Sequence, residues 1–325
     1  MSRHSRDTYP RLLGDIGGTN ARFALLSHPN AAISDMRSLS ASAFPGPAEA
    51  INAYLAKTGG VRARVAAFGI ANPIDGDRVE MTNHTWSFSI EALRRQLDLQ
   101  HLLVINDFTA LALSLPYLPA DELHQVGGGT RQMALPIAVL GAGTGLGVSG
   151  LLPAGERYLP LAGEGGHVTL AATTAEEAAV IEQLRTTFVH VSAERLLSGP
   201  GLVNLYDALA RVRQQPVASV DAATITHAAL ASSDTLAVDT LNMFCALLGT
   251  VAGNLALTLG AKGGVFIGGG IVPRLGKFFD RSPFRQRFED KGRFRAYLAG
   301  IPVFVIHAPY PAISGAAVAL AQAVD

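Results

Sequence analysis

The sequence is poor in cysteine and in charge. Cys245 is the one cysteine among 325 residues, so no disulfide framework can form within the chain. Charged residues make up only 16%, with Lys+Arg and Asp+Glu both at 26. That balance lacks the broad positive field of a nucleic-acid binder, so no nucleic-acid partner is expected. The start, MSRHSRDTYPRLLGD, has no apolar signal-peptide core, which with the single cysteine points to the cytoplasm. Asn83-His84-Thr85 is therefore read as a chance sequon. Three familiar signatures are also missing. There is no Walker loop, no Gly-x-Ser-x-Gly elbow, and Gly141-x-Gly143 is followed by Leu146 where a dinucleotide fingerprint needs glycine.

Apolar residues, at 49%, are ample for a buried core, and a chain of this length predicts two domains or one large one. The charge-free run Thr240–Ala261 is long enough to cross a bilayer and holds Gly249-x-x-x-Gly253. Asn242, Thr250, Asn254 and Thr258 interrupt it at about helical spacing, which predicts a buried core helix and no membrane partner. The 34 glycines cluster in short runs, the mark of tight turns or close backbone approach rather than of a linker.

The pattern along the chain is that of an α/β protein. Leu12–Ile16, Gly17-Gly18-Thr19-Asn20 and Arg22–Leu26 predict a strand, a glycine turn and a strand. Further strands are predicted at Val65–Ile70, Val79–Thr82 and Leu102–Ile105, and helices at Pro47–Lys57, Ile90–Leu97 and Phe108–Leu115. The polar stretch Asp121–Gln132 reads as a boundary. The pattern then restarts with Ile137–Leu140, the glycine turn Gly141–Gly147 and Val148–Leu152. Helices are predicted at Glu176–Phe188, Leu202–Arg213 and Thr235–Leu259. A strand at Val265–Ile267 runs into Gly268-Gly269-Gly270, and a strand at Pro302–Ile306 and a helix at Ile313–Ala323 end the chain. A unit that occurs twice, near residues 15 and 143, predicts a duplicated α/β domain with a cleft between the halves. The boundaries expected are 1–117 plus 308–325 for the smaller domain and 118–307 for the larger.

Four segments carry chemistry. The two glycine turns can aim backbone N–H groups at a phosphate chain, because glycine lacks Cβ and tolerates positive φ. In the first, Asp15 can face a hydrated magnesium ion. Asp107, in Ile105-Asn106-Asp107-Phe108, stands where a strand ends and a helix begins, the end of an open α/β sheet at which ligands bind. The alternative is a simple helix cap. In Gly163-Glu164-Gly165-Gly166-His167 the glycines argue against a helix and for a loop presenting a carboxylate and an imidazole, a pair that suits vicinal hydroxyls. Glu194, in Ala193–Gly201, is a further hydroxyl acceptor or an ordinary surface glutamate.

Gly14–Arg22, Ile105–Phe108, Gly163–His167 and Leu197-Ser198-Gly199-Pro200-Gly201, in that order, resemble the proteobacterial-type glucokinases of the actin, hexokinase and heat-shock ATPase superfamily. The resemblance runs from Leu12 to an Ile313-Ser314-Gly315 turn. It implies a two-domain actin-like, ribonuclease H-like fold with an interdomain cleft, and transfer of the terminal phosphate of ATP to the 6-hydroxyl of glucose. It also implies a homodimer. By the resemblance, Asp107 is the base, and Asn106, Asp107, Glu164, His167 and Glu194 contact the sugar, with Asn83 near it. Gly14, Asp15, Ile16, Gly17, Gly18 and Thr19 form one phosphate loop and Gly143, Thr144 and Gly145 belong to the other. Gly269 lies in an adenosine motif spanning Gly268–Arg274, and Asp15 meets Mg2+ through water. A related branch, the repressor, open-reading-frame and kinase family, carries a cysteine zinc cluster that Cys245 alone cannot build, so no zinc is expected. A kinase for mannose or an N-acetylated hexosamine remains an alternative, as does a non-catalytic sugar sensor. About eleven residues precede the first strand, too few for the DNA-binding segment of sugar-responsive repressors.

Overall fold

The structure, a computed structural model, describes residues 8–82, 84–216 and 219–324. They form two compact units. One runs to Pro119 and resumes at Ala308, and the other is Ala120–His307.

The first unit contains β1 (Arg11–Ile16), β2 (Asn20–Leu26), β3 (Ser34–Ser40), α1 (Pro47–Lys57) and β4 (Val65–Ile70). It continues with β5 (Arg78–Glu80), β6 (Ser87–Ser89), α2 (Ile90–Gln96), β7 (His101–Asn106) and α3 (Asp107–Ser114). The sheet order is β3-β2-β1-β4-β7. β1, β2 and β3 pair antiparallel, while β4 lies parallel to β1, and β7 parallel to β4. β4 is buried along its whole length, as a parallel strand covered on both faces must be. Its alternation shows in what each face meets. Ala66, Phe68 and Ile70 pack with Ile51, Tyr54 and Trp86. Val65 and Ala67 pack with Ile313, Ala316 and Leu320 of the C-terminal helix, Pro311–Val324. The turn expected at 313–315 is instead inside this helix. Gly315 has no side chain because the carbonyl of Ala110 in α3 occupies the space a Cβ would need.

The second unit holds β8 (Leu123–Val126), β9 (Ile137–Ala142), β10 (Leu146–Ala154), β11 (Arg157–Ala162), α4 (Ala175–Arg185), α5 (Gly199–Val212), α6 (Ala222–Leu230) and α7 (Thr235–Leu259). It ends with β12 (Val265–Gly268), α8 (Val272–Leu275), α9 (Lys277–Arg281), α10 (Phe284–Glu289), α11 (Arg295–Ala299) and β13 (Val303–Ile306). Its sheet order is β11-β10-β9-β12-β13-β8. Three antiparallel strands are followed by two parallel ones, as in the first unit, with β8 added at the far edge. The polar stretch Asp121–Gln132 is thus no simple linker. It contains β8, whose polarity reflects an edge position; Arg285 secures the adjoining segment by donating to the carbonyls of Ile301 and Ala299, each at 3.0 Å.

α7 is long and apolar enough to cross a membrane, but 78% of its most apolar window is buried within the protein. Asp234 caps its first turn and Gly260, at φ 61°, ends it in the left-handed region. Gly249 and Gly253 face α10, and a Cβ on Gly253 would lie 2.5 Å from the carbonyl of Phe288. The glycine pair therefore serves close helix packing inside one unit. Cys245 sits in the same helix, where burial pushes its thiol up to about 12.

Candidate active site

In the first unit, the ends of β1, β4 and β7 carry the candidate residues. Asp15 and Arg22 are direct cross-strand partners, and Arg22 Nη1 donates to Asp15 Oδ2 at 3.0 Å. Burial pushes the Asp15 carboxyl up, and the charge and hydrogen bond of Arg22 oppose that shift. The Arg22 guanidinium lies 5.1 Å from the centroid of the Tyr310 ring. The turn between the strands is closed by Gly17 N–H on the carbonyl of Asn20 at 2.9 Å. Ile16 is fully buried, so its backbone alone can face a ligand. Gly14 lies within β1, where a Cβ would stand 2.8 Å from Phe68 Cδ1. Its missing side chain is accounted for by packing.

Asn106 and Asp107 divide two tasks that the sequence left to Asp107 alone. Asn106 is the cap of α3, its Oδ1 accepting from the N–H groups of Phe108 at 2.8 Å and Thr109 at 3.1 Å. Its amide nitrogen donates to the carbonyl of Asn72 at 3.3 Å. Asp107 is the first helical residue, and its Oδ1 accepts from Phe108 N–H at 2.9 Å. With capping done by its neighbour, the Asp107 carboxylate stands at the strand end, where its Oδ1 takes the Phe108 N–H. Asn72, two residues beyond β4, ties this corner together. Its Oδ1 accepts from Thr82 N–H at 3.0 Å and Thr82 Oγ1 at 2.8 Å. Asn83 lies outside the described residues; of the residues flanking it, Met81 donates its N–H to the carbonyl of Trp86 at 3.0 Å.

In the second unit, the candidates gather around the start of β10. Gly165–His167 forms a single 3-10 turn, a tighter version of the loop expected there. Its glycines are required by β10. A Cβ on Gly166 would run into the carbonyl of Leu146, and one on Gly165 would lie 2.8 Å from Val148 Cγ1. The turn can therefore sit against the strand and present Glu164 and His167, whose Oε2 and Nε2 are 4.0 Å apart and more than half exposed. Glu194 reaches the same place from another 3-10 turn, Ala193–Arg195. Its Oε2 accepts from the N–H of Leu146 at 2.8 Å.

The loop Gly143–Gly145 joins β9 to β10. Around Gly143 the space a side chain would fill is open. Gly143 N–H bonds the carbonyl of Gly145 at 2.8 Å, and among the described residues the N–H groups of Thr144 and Gly145 have no internal acceptor. They are the donors available to a phosphate. Gly269, at φ 78°, is pressed against Ala142, where a Cβ would meet the carbonyl, and Ile271 N–H bonds that same carbonyl at 3.2 Å. Positive φ is needed here but not in the phosphate loops. None of Gly14, Gly17, Gly18, Gly143 or Gly145 adopts it; Gly143 leaves open space, while Gly14 and Gly145 make room for Phe68 and Glu194.

The repeated sheet order, with glycine turns between the first two strands of each repeat, is that of the two-domain actin-like ATPase fold. The glucokinase family model matches residues 12–323. The glucokinase of Aromatoleum aromaticum is 58% identical over 318 residues, covering 98% of this chain and 96% of that protein. The glucokinase of Chromobacterium violaceum is 53% identical over 322 residues, covering 99% and 92%. A crystal structure of glucokinase from an Antarctic psychrotroph is similar with a TM-score of 0.88 at 37% identity, covering 96% of this chain and 99% of that one. The chain belongs to the glucokinase family.

Proposed function

We propose that this chain transfers the γ-phosphoryl group of ATP to the 6-hydroxyl of glucose, with Asp107 taking the hydroxyl proton. The observation that supports it best is the convergence of Glu164, His167 and Glu194 on the first residues of β10, the strand that leaves the Gly143–Gly145 loop. A hydroxyl-reading set and a phosphate-binding turn on one strand start suit a reaction that joins a polyol to a phosphate. The sugar hydroxyls are read by Glu164, His167 and Glu194, and by the amide nitrogen of Asn106, whose oxygen is already committed to the helix cap. Such a site rejects a sugar that lacks a matching hydroxyl, because its own polar groups would be left unpaired.

Phosphoryl transfer asks little covalent chemistry of the protein; positioning and charge stabilisation dominate. The N–H groups of Thr144 and Gly145 and the Gly17–Thr19 turn hold the phosphates. Asp15, a single hard carboxylate beside the first turn, fits a magnesium ion that keeps most of its waters, and no group of three or more potential ligand side chains occurs among the described residues. Bound there with ATP, the ion offsets charge on the phosphates. A zinc-free enzyme, a homodimer and a cytoplasmic location belong to the same proposal. The direct test is coupled ADP release across a panel of hexoses. Glucose is expected to lead by at least an order of magnitude in kcat/KM over mannose and N-acetylglucosamine. Equal or better turnover of either rival would replace glucose as the substrate, and sugar-independent ADP release alone would remove the kinase reading.

A further inference from the structure

Glu194 has two faces, and only one of them is absorbed by sugar recognition. Its Oε2 accepts the Leu146 N–H at 2.8 Å, at one end of the phosphate loop. The other end is held from the same segment, since Gly199 N–H donates to the carbonyl of Gly143 at 2.7 Å. The segment is itself braced. Ser198 Oγ donates to the Glu194 carbonyl at 2.9 Å and accepts from Gly201 N–H at 3.0 Å. Ser198 is buried, and Gly201 has no room for a Cβ, which would lie 2.8 Å from the Glu194 carbonyl. Between the two tied ends, Gly145 is the contact point: a Cβ on it would stand 2.5 Å from Glu194 Oε2.

From this arrangement we infer that Glu194 is a positioning residue for the nucleotide loop as well as a sugar contact, and that Gly145 is a sugar-affinity determinant although it touches no sugar. One carboxylate oxygen is fixed by the loop's main chain, which aims the other at the hydroxyl it reads. Sugar bound to that oxygen in turn fixes the carboxylate and, through Leu146 N–H, the end of the loop. Linkage makes the effect reciprocal: whatever factor the sugar contributes to nucleotide affinity, the nucleotide contributes to sugar affinity. The inference rests on the proposed reading of Glu194 as a sugar contact, and the experiment separates the two.

Glucose affinity of the full chain is measured by titration calorimetry without nucleotide, for the wild type, Gly145→Ala and Glu194→Ala. With no nucleotide present, a loop variant cannot act on glucose through bound phosphate, and the sugar-reading side chain in contact with position 145 is Glu194. Glu194→Ala is expected to weaken glucose about tenfold or more, the scale of a lost hydrogen bond to a charged group. Gly145→Ala is expected to weaken it severalfold, and both variants should lose the enhancement that glucose gives to binding of a non-hydrolysable ATP analogue. If Glu194→Ala weakens glucose while Gly145→Ala leaves it unchanged, the tie does not position the carboxylate and the inference is overturned, with the sugar reading intact. Unchanged glucose affinity in Glu194→Ala overturns the sugar reading of that residue and the inference with it. Should Gly145→Ala fail to fold, Ser198→Ala, which removes the brace on the Glu194 carbonyl and the α5 cap beside the Gly199 tie, must show the same weakening; wild-type glucose affinity in that variant overturns the inference.

Discussion

Replacing Asp107 by asparagine isolates proton abstraction from everything else the residue does. Asp107 Oδ1 accepts the Phe108 N–H at 2.9 Å, and an asparagine oxygen can accept it in the same way. The helix cap is untouched, because Asn106 supplies it. With the side-chain oxygen kept on Phe108, the new NH2 group occupies the position of Oδ2 and presents a donor where a base is needed. The cap and the side-chain volume are therefore preserved, and the proposed role that is removed is the acceptance of one proton. General-base catalysis contributes about 10²–10⁴ in rate, equivalent to roughly 3–5 kcal/mol of barrier. Coupled ADP release should thus show kcat down by that factor, while glucose affinity measured by calorimetry changes by no more than about threefold, the hydroxyl still having a hydrogen-bond partner. An Asp107→Asn enzyme retaining a third or more of wild-type kcat would refute the assignment. A variant that lost glucose binding together with turnover would show that Asp107 is a binding group before it is a base.

Three further outcomes follow from buried contacts in the second unit. Arg287 and Glu177 form a buried pair at 2.7 Å, with side-chain exposures of 13% and 3%, and Thr250 accepts a further bond from Arg287 at 3.0 Å. Glu177→Ala strands the guanidinium and should cost about 3–5 kcal/mol of stability, read as a lower denaturation midpoint, whereas Glu177→Leu combined with Arg287→Met should cost less. Burial alone would push the Glu177 carboxyl up, but the hydrogen bonds from Arg287 and Thr173 bring it below its usual value. A depressed folded-state pKa gives stability that is present above the unfolded value, about 4.3, and is lost as pH falls through the lower folded value. Wild type should therefore lose more stability than Glu177→Gln on acidification below about pH 4.5, and parallel pH profiles would contradict it. Gly166→Ala drives a methyl group into the Leu146 carbonyl. The Glu164–His167 turn should move, at a cost of about 1–3 kcal/mol in stability, and calorimetry should find glucose affinity weakened more than that of an ATP analogue.

The strand, glycine turn, strand pattern at residues 12–26 and 137–152 was readable because apolar runs flank clustered glycines, and it carried the duplicated architecture. Edge strands were not readable. β3, Ser34–Ser40, is exposed along nearly its whole length, and β8 lies in a polar stretch, so neither shows the alternation that buried strands do. The chemistry-bearing residue types were legible from the motifs, but their division of labour was not. Capping by Asn106 instead of Asp107 depends on φ and ψ at one position. The reason for Gly165 and Gly166 lies in β10, some 20 residues away in sequence, and the partner of Glu194 is a main-chain amide that no side-chain pattern encodes. Arg22 was part of the quoted motif without a role; opposite placement across the hairpin, inferable from the turn length, is the signal that could have found it as the partner of Asp15.

Leu146 meets its neighbours through backbone and side chain alike: its amide holds Glu194, its carbonyl leaves room for nothing larger than glycine at 166, and its side chain is buried in the core of the second unit. Natural variation at 146 should be confined to apolar residues of similar size, proline excluded because the N–H is needed, and should be strict at 145 and 166, where only the smallest residue fits. The constraint of this corner is thus written at three positions together, an apolar residue at 146 that fills the core and two glycines, at 145 and 166, that let its main chain be reached.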